Sequence, residues 1–248
     1  MNPIVIIPSR MAAQRLPGKP LARIGGEAMI LRVVRGALAA DVGPVVVAAG
    51  DMEIVEAVRA AGGEAVLTDP SLPSGSDRVV AALKVVDAEG RHDIVVNLQG
   101  DMPVFAPSIL RDCLALLADE TECDIATCVA PEASPTDRAN PDVVKAIMAL
   151  DEGDRRGRAL YFTRSTLYGD EPVWRHVGLY AYRREALLRF AAAPPSPLER
   201  REKLEQLRAL ERGQSIWAAV IDAAPMSVDN PADLEAARRQ VAEQEQRA

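Results

Sequence analysis

Residues 3–21 read Pro3-Ile4-Val5-Ile6-Ile7-Pro8-Ser9-Arg10-Met11-Ala12-Ala13-Gln14-Arg15-Leu16-Pro17-Gly18-Lys19-Pro20-Leu21. Ile4 to Ile7 form an unbroken β-branched run, the pattern of a strand buried on both faces of a parallel sheet. The Pro, Gly and cationic residues that follow cannot prolong it, so the chain passes from strand into loop. In open α/β sheets ligands occupy the crevice beyond the carboxyl ends of the strands. Arg10, Arg15 and Lys19 would put three cations there, with charge-assisted donors for phosphate oxygens, and Gly18 would allow close backbone approach. The same side chains also read as solvated surface cations beside a turn. The spacing is not G-x-x-x-x-G-K-[ST], and no G-x-G-x-x-G follows the strand, which disfavours a P-loop NTPase and a dinucleotide-binding dehydrogenase.

Outward from this stretch, strand and helix signals alternate. Strands are expected at Ile4–Ile7, Val45–Ala48, Ala65–Thr68 and Ile94–Leu98, with helices at Met29–Ala40, Glu53–Ala61 and Asp77–Val86. Gly62-Gly63 reads as a helix stop. This is the order of a βαβ sheet with right-handed crossovers. The second half suggests strands at Ile125–Val129, Val143–Leu150, Ala159–Thr163 and Val177–Tyr182 with few long helices, hence an antiparallel or mixed extension. Ser196-Pro197-Leu198 opens a charged helix through about Glu211, Gly213 stops it, Ile216–Ile221 is a last strand, and Asn230 caps a helix from Pro231. The fold class is therefore α/β. The 248 residues read as a single domain: a nucleotide-binding half (1–122), a second-substrate and subunit-contact half (123–225), and a closing strand end and helix (226–248).

A net charge of -7 argues against general nucleic-acid binding and makes the cationic loop a local exception. No stretch approaches the roughly 20 apolar residues of a membrane span, and no secretory leader is evident, so a cytoplasmic location is expected. Cys113, Cys123 and Cys128 are odd in number and lack C-x-x-C spacing, which favours buried free thiols over disulfides or zinc.

Asp101, in Asn97-Leu98-Gln99-Gly100-Asp101, falls at the carboxyl end of a central strand, and Asp229 sits just before the last helix. Mg²⁺ takes one or two carboxylates plus substrate phosphates and water, so Asp101 and Asp229 are candidate metal ligands. Each also reads as an ordinary turn or helix-end residue. Ser74-Gly75-Ser76-Asp77-Arg78 offers hydroxyls, backbone N–H groups and a guanidinium to a base or ribose. It equally reads as a helix cap formed by Ser76 or Asp77.

Taken in order, R-x-x-x-x-R-L-P-G-K-P-L, G-G-E-A-V-x-T, S-G-S-D-R, N-L-Q-G-D and V-D-N-P resemble the 3-deoxy-manno-octulosonate (Kdo) cytidylyltransferases. The resemblance continues through Asn140–Lys145, Ala159–Arg164, His176–Arg183, Pro195–Glu199 and Leu204–Arg208 and covers nearly the whole chain. It implies a Rossmann-like nucleotide-diphospho-sugar transferase fold: a mixed, mostly parallel central sheet with helices on both faces and a smaller antiparallel extension. It implies attack of the sugar's anomeric 2-hydroxyl on the α-phosphate of CTP, giving CMP-Kdo and pyrophosphate for lipopolysaccharide assembly, in a homodimer. Arg10 and Lys19, with Arg15 beside them, match triphosphate-binding cations, and Ser76 and Arg78 match the nucleoside segment. Asp101 and Asp229 match Mg²⁺ ligands. Gln99, Arg164, His176, Tyr180, Glu205 and Gln206 match the acid-sugar pocket. Catalysis of this type rests on positioning and charge neutralisation, so no side-chain general base is assigned.

The chain departs from the family pattern in places. Ala48-Ala49-Gly50 stands where Ala-Thr-Asp is usual, with Asp51 next, read as a helix start. Met102 replaces a frequent Glu, Gln14 a small hydroxyl residue, and Ser9 an Ala. These changes motivate two other readings: activity on a different 2-keto acid sugar such as an amino-substituted Kdo, or an impaired nucleotide-binding relative.

Overall fold

The computed structural model describes residues 1–12, 15–132, 134–151 and 153–247, so Gln14 lies outside the described residues. The chain divides into two compact units, residues 2–108 with 225–248, and residues 109–224.

The first unit begins with β1 (Pro3–Ser9), a short hairpin of β2 (Arg23–Ile24) and β3 (Glu27–Ala28), and α1 (Met29–Ala39). It continues through β4 (Val45–Ala49), α2 (Met52–Ala60), β5 (Glu64–Leu67), α3 (Gly75–Val86) and β6 (Ile94–Asn97). β1 lies between β4 and β6, and β5 pairs with β4, all in parallel. Ile4 to Ile7 are at most 2% exposed, as the unbroken apolar run requires. Successive β1 residues point to opposite faces. A Cβ at Gly75, opening α3, would meet Pro8, whereas Ile7 and the α1 residue Ile30 both approach Gly100. Helices thus cover both faces of this parallel sheet.

The second unit holds α4 (Ser108–Asp119), β7 (Ile125–Pro131), β8 (Lys145–Ala149), β9 (Arg156–Thr163) and β10 (Trp174–Arg183). Then come α5 (Arg184–Ala192), α6 (Pro197–Glu202), α7 (Leu207–Glu211) and β11 (Ile216–Val220). Here β7 pairs with β11 in parallel but with β10 antiparallel, and β8 and β9 add antiparallel pairs. Parallel pairing thus predominates only in the first unit, and the protein's pairing taken whole is mixed.

Helices α4 and α5 were not expected from the sequence. Their apolar residues, Ile109, Leu110, Cys113, Leu114, Leu116 and Leu117 in α4 and Ala186, Leu187 and Phe190 in α5, do recur at helical spacing. Conversely, the single helix expected from Pro197 to Glu211 is two. Lys203 adopts the left-handed conformation at φ 57° and ends α6 before α7 begins. The three cysteines are free and buried.

After residue 224 the chain returns to the first unit as α8 (Pro231–Arg247). Asn230 caps it as expected, its Oδ1 accepting from Asp233 N at 3.0 Å. Leu234, Ala237 and Val241 of α8 pack with Ile24, Met29 and Val228. That apolar cluster holds the hairpin and the segment before α8 together.

Candidate active site

A cavity of about 880 Å³ opens in the first unit beyond the carboxyl ends of β1 and β6. Arg10, Arg15, Lys19, Arg78, Gln99, Asp101 and Asp229, all singled out in the sequence, line it. The cationic loop turns where Gly18 takes φ 71°, a conformation that favours glycine; a Cβ there would come no closer than 3.8 Å to Met11, so the turn rather than close approach requires it. Gly100 is the close-approach glycine, since a Cβ would lie 2.9 Å from the Pro8 carbonyl.

Asp101 and Asp229 are brought together by backbone pairing. Val104 and Met226 form an antiparallel bridge, and Val228 N donates to Asp101 O at 2.9 Å. Lys19 Nζ then donates to Asp101 Oδ2 at 2.9 Å, Val228 O at 2.8 Å and Asp229 Oδ1 at 3.4 Å. Its three protons are thereby directed to protein oxygens rather than to the cavity. Arg15 Nη2 approaches Asp229 Oδ1 at 3.4 Å. The carboxylate pair is therefore already arranged around positive charge. Arg10 is exposed and makes no ion pair among the described residues, which leaves its fork available to an anion.

Arg78 differs from the expected outward fork. It is 2% exposed, and Nη1 donates to Thr68 Oγ1 at 2.6 Å and Asp69 O at 3.1 Å. Burial, then the Arg10 charge, lowers its pKa, and Asp51 and Asp69 oppose this. Its guanidinium occupies the space beside Gly50, where a Cβ would lie 2.9 Å from Nη1. A residue larger than glycine at position 50 would have to displace it. Asp51 does precede α2, but its carboxylate accepts from Met11 N at 2.7 Å instead of capping the helix, and so anchors the cationic loop.

The cap of α3 also differs. Ser74 is the N-cap and accepts from Asp77 N at 3.1 Å, whereas Ser76 is buried inside the first turn and does not line the cavity. The S-x-x-D spacing of Ser74 and Asp77 carried that signal. Ser9 was noted only as a departure. Its hydroxyl is buried at the cavity wall without a hydrogen-bond partner among the described residues.

The remaining predicted residues divide between the units. Gln99, in the first, donates from Nε2 to Asn97 Oδ1 at 3.1 Å. In the second unit, the rings of His176 and Tyr180 lie 5.3 Å apart, and Phe162 meets His176 edge-on at 4.9 Å. Burial lowers the His176 pKa to about 3 and raises the Tyr180 phenol well above its ordinary value, Tyr182 and Glu205 adding to the latter. Gln206 is buried, and Glu205 lies 3.5 Å from Arg208. Arg164 donates to Pro141 O at 2.9 Å, and its own carbonyl accepts from the fully buried Lys145 at 2.9 Å.

Residues 4–216 match the family model described as cytidylyltransferase. A 3-deoxy-manno-octulosonate cytidylyltransferase of Parvibaculum lavamentivorans is 56% identical over 97% of this chain and 93% of its own length. One of Methylobacterium radiotolerans is 57% identical over 96% of each. Among solved structures, a CMP:2-keto-3-deoxy-manno-octonic acid synthetase complexed with CTP superposes with a TM-score of 0.90 at 36% identity, covering 98% of this chain and all of the other. The chain belongs to the cytidylyltransferase family and, within it, to the 3-deoxy-manno-octulosonate cytidylyltransferases.

Proposed function

We propose that this chain transfers CMP from CTP to the anomeric 2-hydroxyl of Kdo, giving CMP-Kdo and pyrophosphate for lipopolysaccharide assembly. The observation that carries the reading is the convergence of Asp101 and Asp229 on one cation, beside Arg10 and Arg15, in a cavity large enough for a nucleotide. The names of the relatives favour Kdo over an amino-substituted sugar.

Arg10 and Arg15 bind the triphosphate and neutralise its charge, and Asp101 and Asp229 would hold Mg²⁺. The fit is chemical. No group of three His, Cys, Asp or Glu side chains suited to a metal occurs among the described residues. The carboxylate pair would thus need phosphate oxygens and water as further ligands, the oxygen donors that Mg²⁺ takes. When bound, the ion supplies charge stabilisation at the phosphates and a lower pKa for a nearby hydroxyl. Lys19 leaves the carboxylates and turns its ammonium to the triphosphate. In the second unit His176, Tyr180, Glu205 and Gln206 bond sugar hydroxyls and Arg164 faces the sugar carboxylate; Gln99 is a sugar-binding candidate of the first unit by the resemblance. The nucleoside is read near Ser76 and Arg78, where Arg78 acts by shaping the wall. The single-domain organisation, a homodimer and a cytoplasmic location belong to the same reading. No helix among the described residues is long and apolar enough to cross a membrane.

Incubation with CTP, Kdo and Mg²⁺ is expected to release pyrophosphate, with loss of release on chelation; CTP binding without turnover on any acid sugar would instead favour an inactive relative. Light scattering at micromolar concentration is expected to give a dimer mass. Ser9→Ala removes a buried unsatisfied hydroxyl, so the free protein should gain about 1 kcal/mol. The same change should leave the Kd for CTP by calorimetry unchanged, because the hydroxyl is buried behind the cavity wall. A loss of stability on urea unfolding would refute the unsatisfied state of the hydroxyl.

A further inference from the structure

The pairing of β10 with β7 contains an irregularity. Val177 pairs with Cys128, but the next β7 residue, Thr127, pairs with Tyr180, so Gly178 and Leu179 form a bulge. The bulge brings two backbone carbonyls to one side chain. Thr127 Oγ1 lies 3.1 Å from Val177 O and 2.7 Å from Leu179 O, and its third neighbour is His176 Nε2 at 3.1 Å. Thr127 itself is fully buried.

A hydroxyl has one proton, and carbonyl oxygens only accept. Turning that proton to His176 would leave the oxygen facing two carbonyls with no donor between them. The proton therefore goes to a carbonyl, the shorter Leu179 contact being favoured, and a hydroxyl lone pair faces the imidazole. Nε2 must then carry the ring hydrogen. In a neutral imidazole the other nitrogen is an acceptor. His176 Nδ1 has no hydrogen-bond partner among the described residues, and the residue is only half-buried, which leaves that nitrogen available to a donor.

We propose that the bulge and Thr127 lock His176 in the Nε2–H tautomer, so that Nδ1 accepts a hydrogen bond from a hydroxyl of the acceptor sugar. Thr127 is a positioning residue in this scheme, and its assignment to the sugar rests on the function proposed above. The ring stays neutral through the working pH range, since burial alone lowers its pKa to about 3. The titratable side chain facing it is Tyr180, whose phenol burial keeps protonated, with Glu205 acting on that phenol. An acceptor fixed in this way rewards a hydroxyl and penalises an analogue that lacks one.

The experiment is ¹⁵N NMR of the histidine side chains, simplified by there being only two, His92 and His176. The wild type is expected to show a pyridine-like Nδ1 and a protonated Nε2 for His176, unchanged from pH 5 to 8, with Nδ1 shifting when Kdo is added to the CTP complex. Thr127→Ser should keep this pattern. Thr127→Val should give mixed tautomers and raise the KM for Kdo about twofold, by the fraction of the ring left in the competent tautomer, with the KM for CTP unchanged. A protonated Nδ1 in the wild type overturns the tautomer assignment, a measurement that needs no substrate and no variant. Turnover of Kdo with no Nδ1 shift overturns the acceptor role. A wild type that turns over no Kdo overturns the functional reading, and the acceptor role with it, while the tautomer result stands separately.

Discussion

Asp101→Ala is expected to lower CTP-dependent pyrophosphate release about a thousandfold, the upper end of the range for removing one group that stabilises developing charge. The protein should remain folded. Asp101 contributes one carboxylate oxygen to Lys19, which keeps Val228 O and Asp229, and neither partner of the 2.9 Å pair is fully buried. Thermal unfolding should therefore shift little, because partly exposed pairs are worth about 1 kcal/mol or less. Two variants separate the metal role from the holding of Lys19. Lys19→Met should retain Mn²⁺ binding in the CTP complex, read by electron paramagnetic resonance, and lose turnover. Asp101→Ala should lose both. Wild-type turnover in Asp101→Ala would end the metal assignment and the mechanism built on it.

Arg208→Ala is expected to cost about 3–5 kcal/mol of stability, as breaking a buried pair leaves its partner charged and uncompensated. Arg208 bonds Glu199 at both carboxylate oxygens, Nε to Oε2 at 2.8 Å and Nη2 to Oε1 at 2.6 Å, with side chains only 7% and 13% exposed. Its guanidinium also lies 4.7 Å from the centre of the Phe190 ring. Glu199 is the N3 residue of the α6 capping box on Ser196, so this one contact ties α5, α6 and α7 together. Burial pushes the Glu199 carboxyl up, but hydrogen bonds from Arg208 and the Ser196 N–H, with the Arg208 charge, hold it below its ordinary value. A depressed folded pKa contributes stability above the unfolded pKa, near 4.5, that is lost as pH falls through the folded one. The gap between wild type and Arg208→Ala in urea should therefore be widest near pH 7 and narrow well below pH 4.5. Glu199→Gln with Arg208→Met should recover much of the loss; strict additivity of the two single changes would show that the pair is not coupled.

The parts of the fold that depend on local pattern were legible in the sequence. Ile4–Ile7, Val45–Ala48 and Ile94–Leu98 announced buried parallel strands because a strand covered on both faces has no polar side to interrupt it. Gly62 and Gly213, both in positive φ, ended helices as expected. Helix α5 was missed because its arginines, the half-buried Arg184 and the exposed Arg189, obscured a narrow apolar stripe. The break at Lys203 had no glycine to mark it, and the Glu199–Arg208 clamp that surrounds it is tertiary. The burial of Arg78 in the cavity wall was not legible, since the oxygens that hold it, Thr68 Oγ1 and Asp69 O, belong to a preceding loop.

By itself the sequence determined the parallel βαβ order of the first unit, the family, and the charged side chains that gather beyond the strand ends, because periodicity and ordered motifs are properties of the chain as written. Only the tertiary structure decided that Asp101 and Asp229 share one ammonium, that Ser74 rather than Ser76 caps α3, and that a bulge aims two carbonyls at Thr127. The physical reason is common to all three. A hydrogen bond is fixed by the direction and distance of its two groups, and these depend on backbone register and packing that residue identity does not specify.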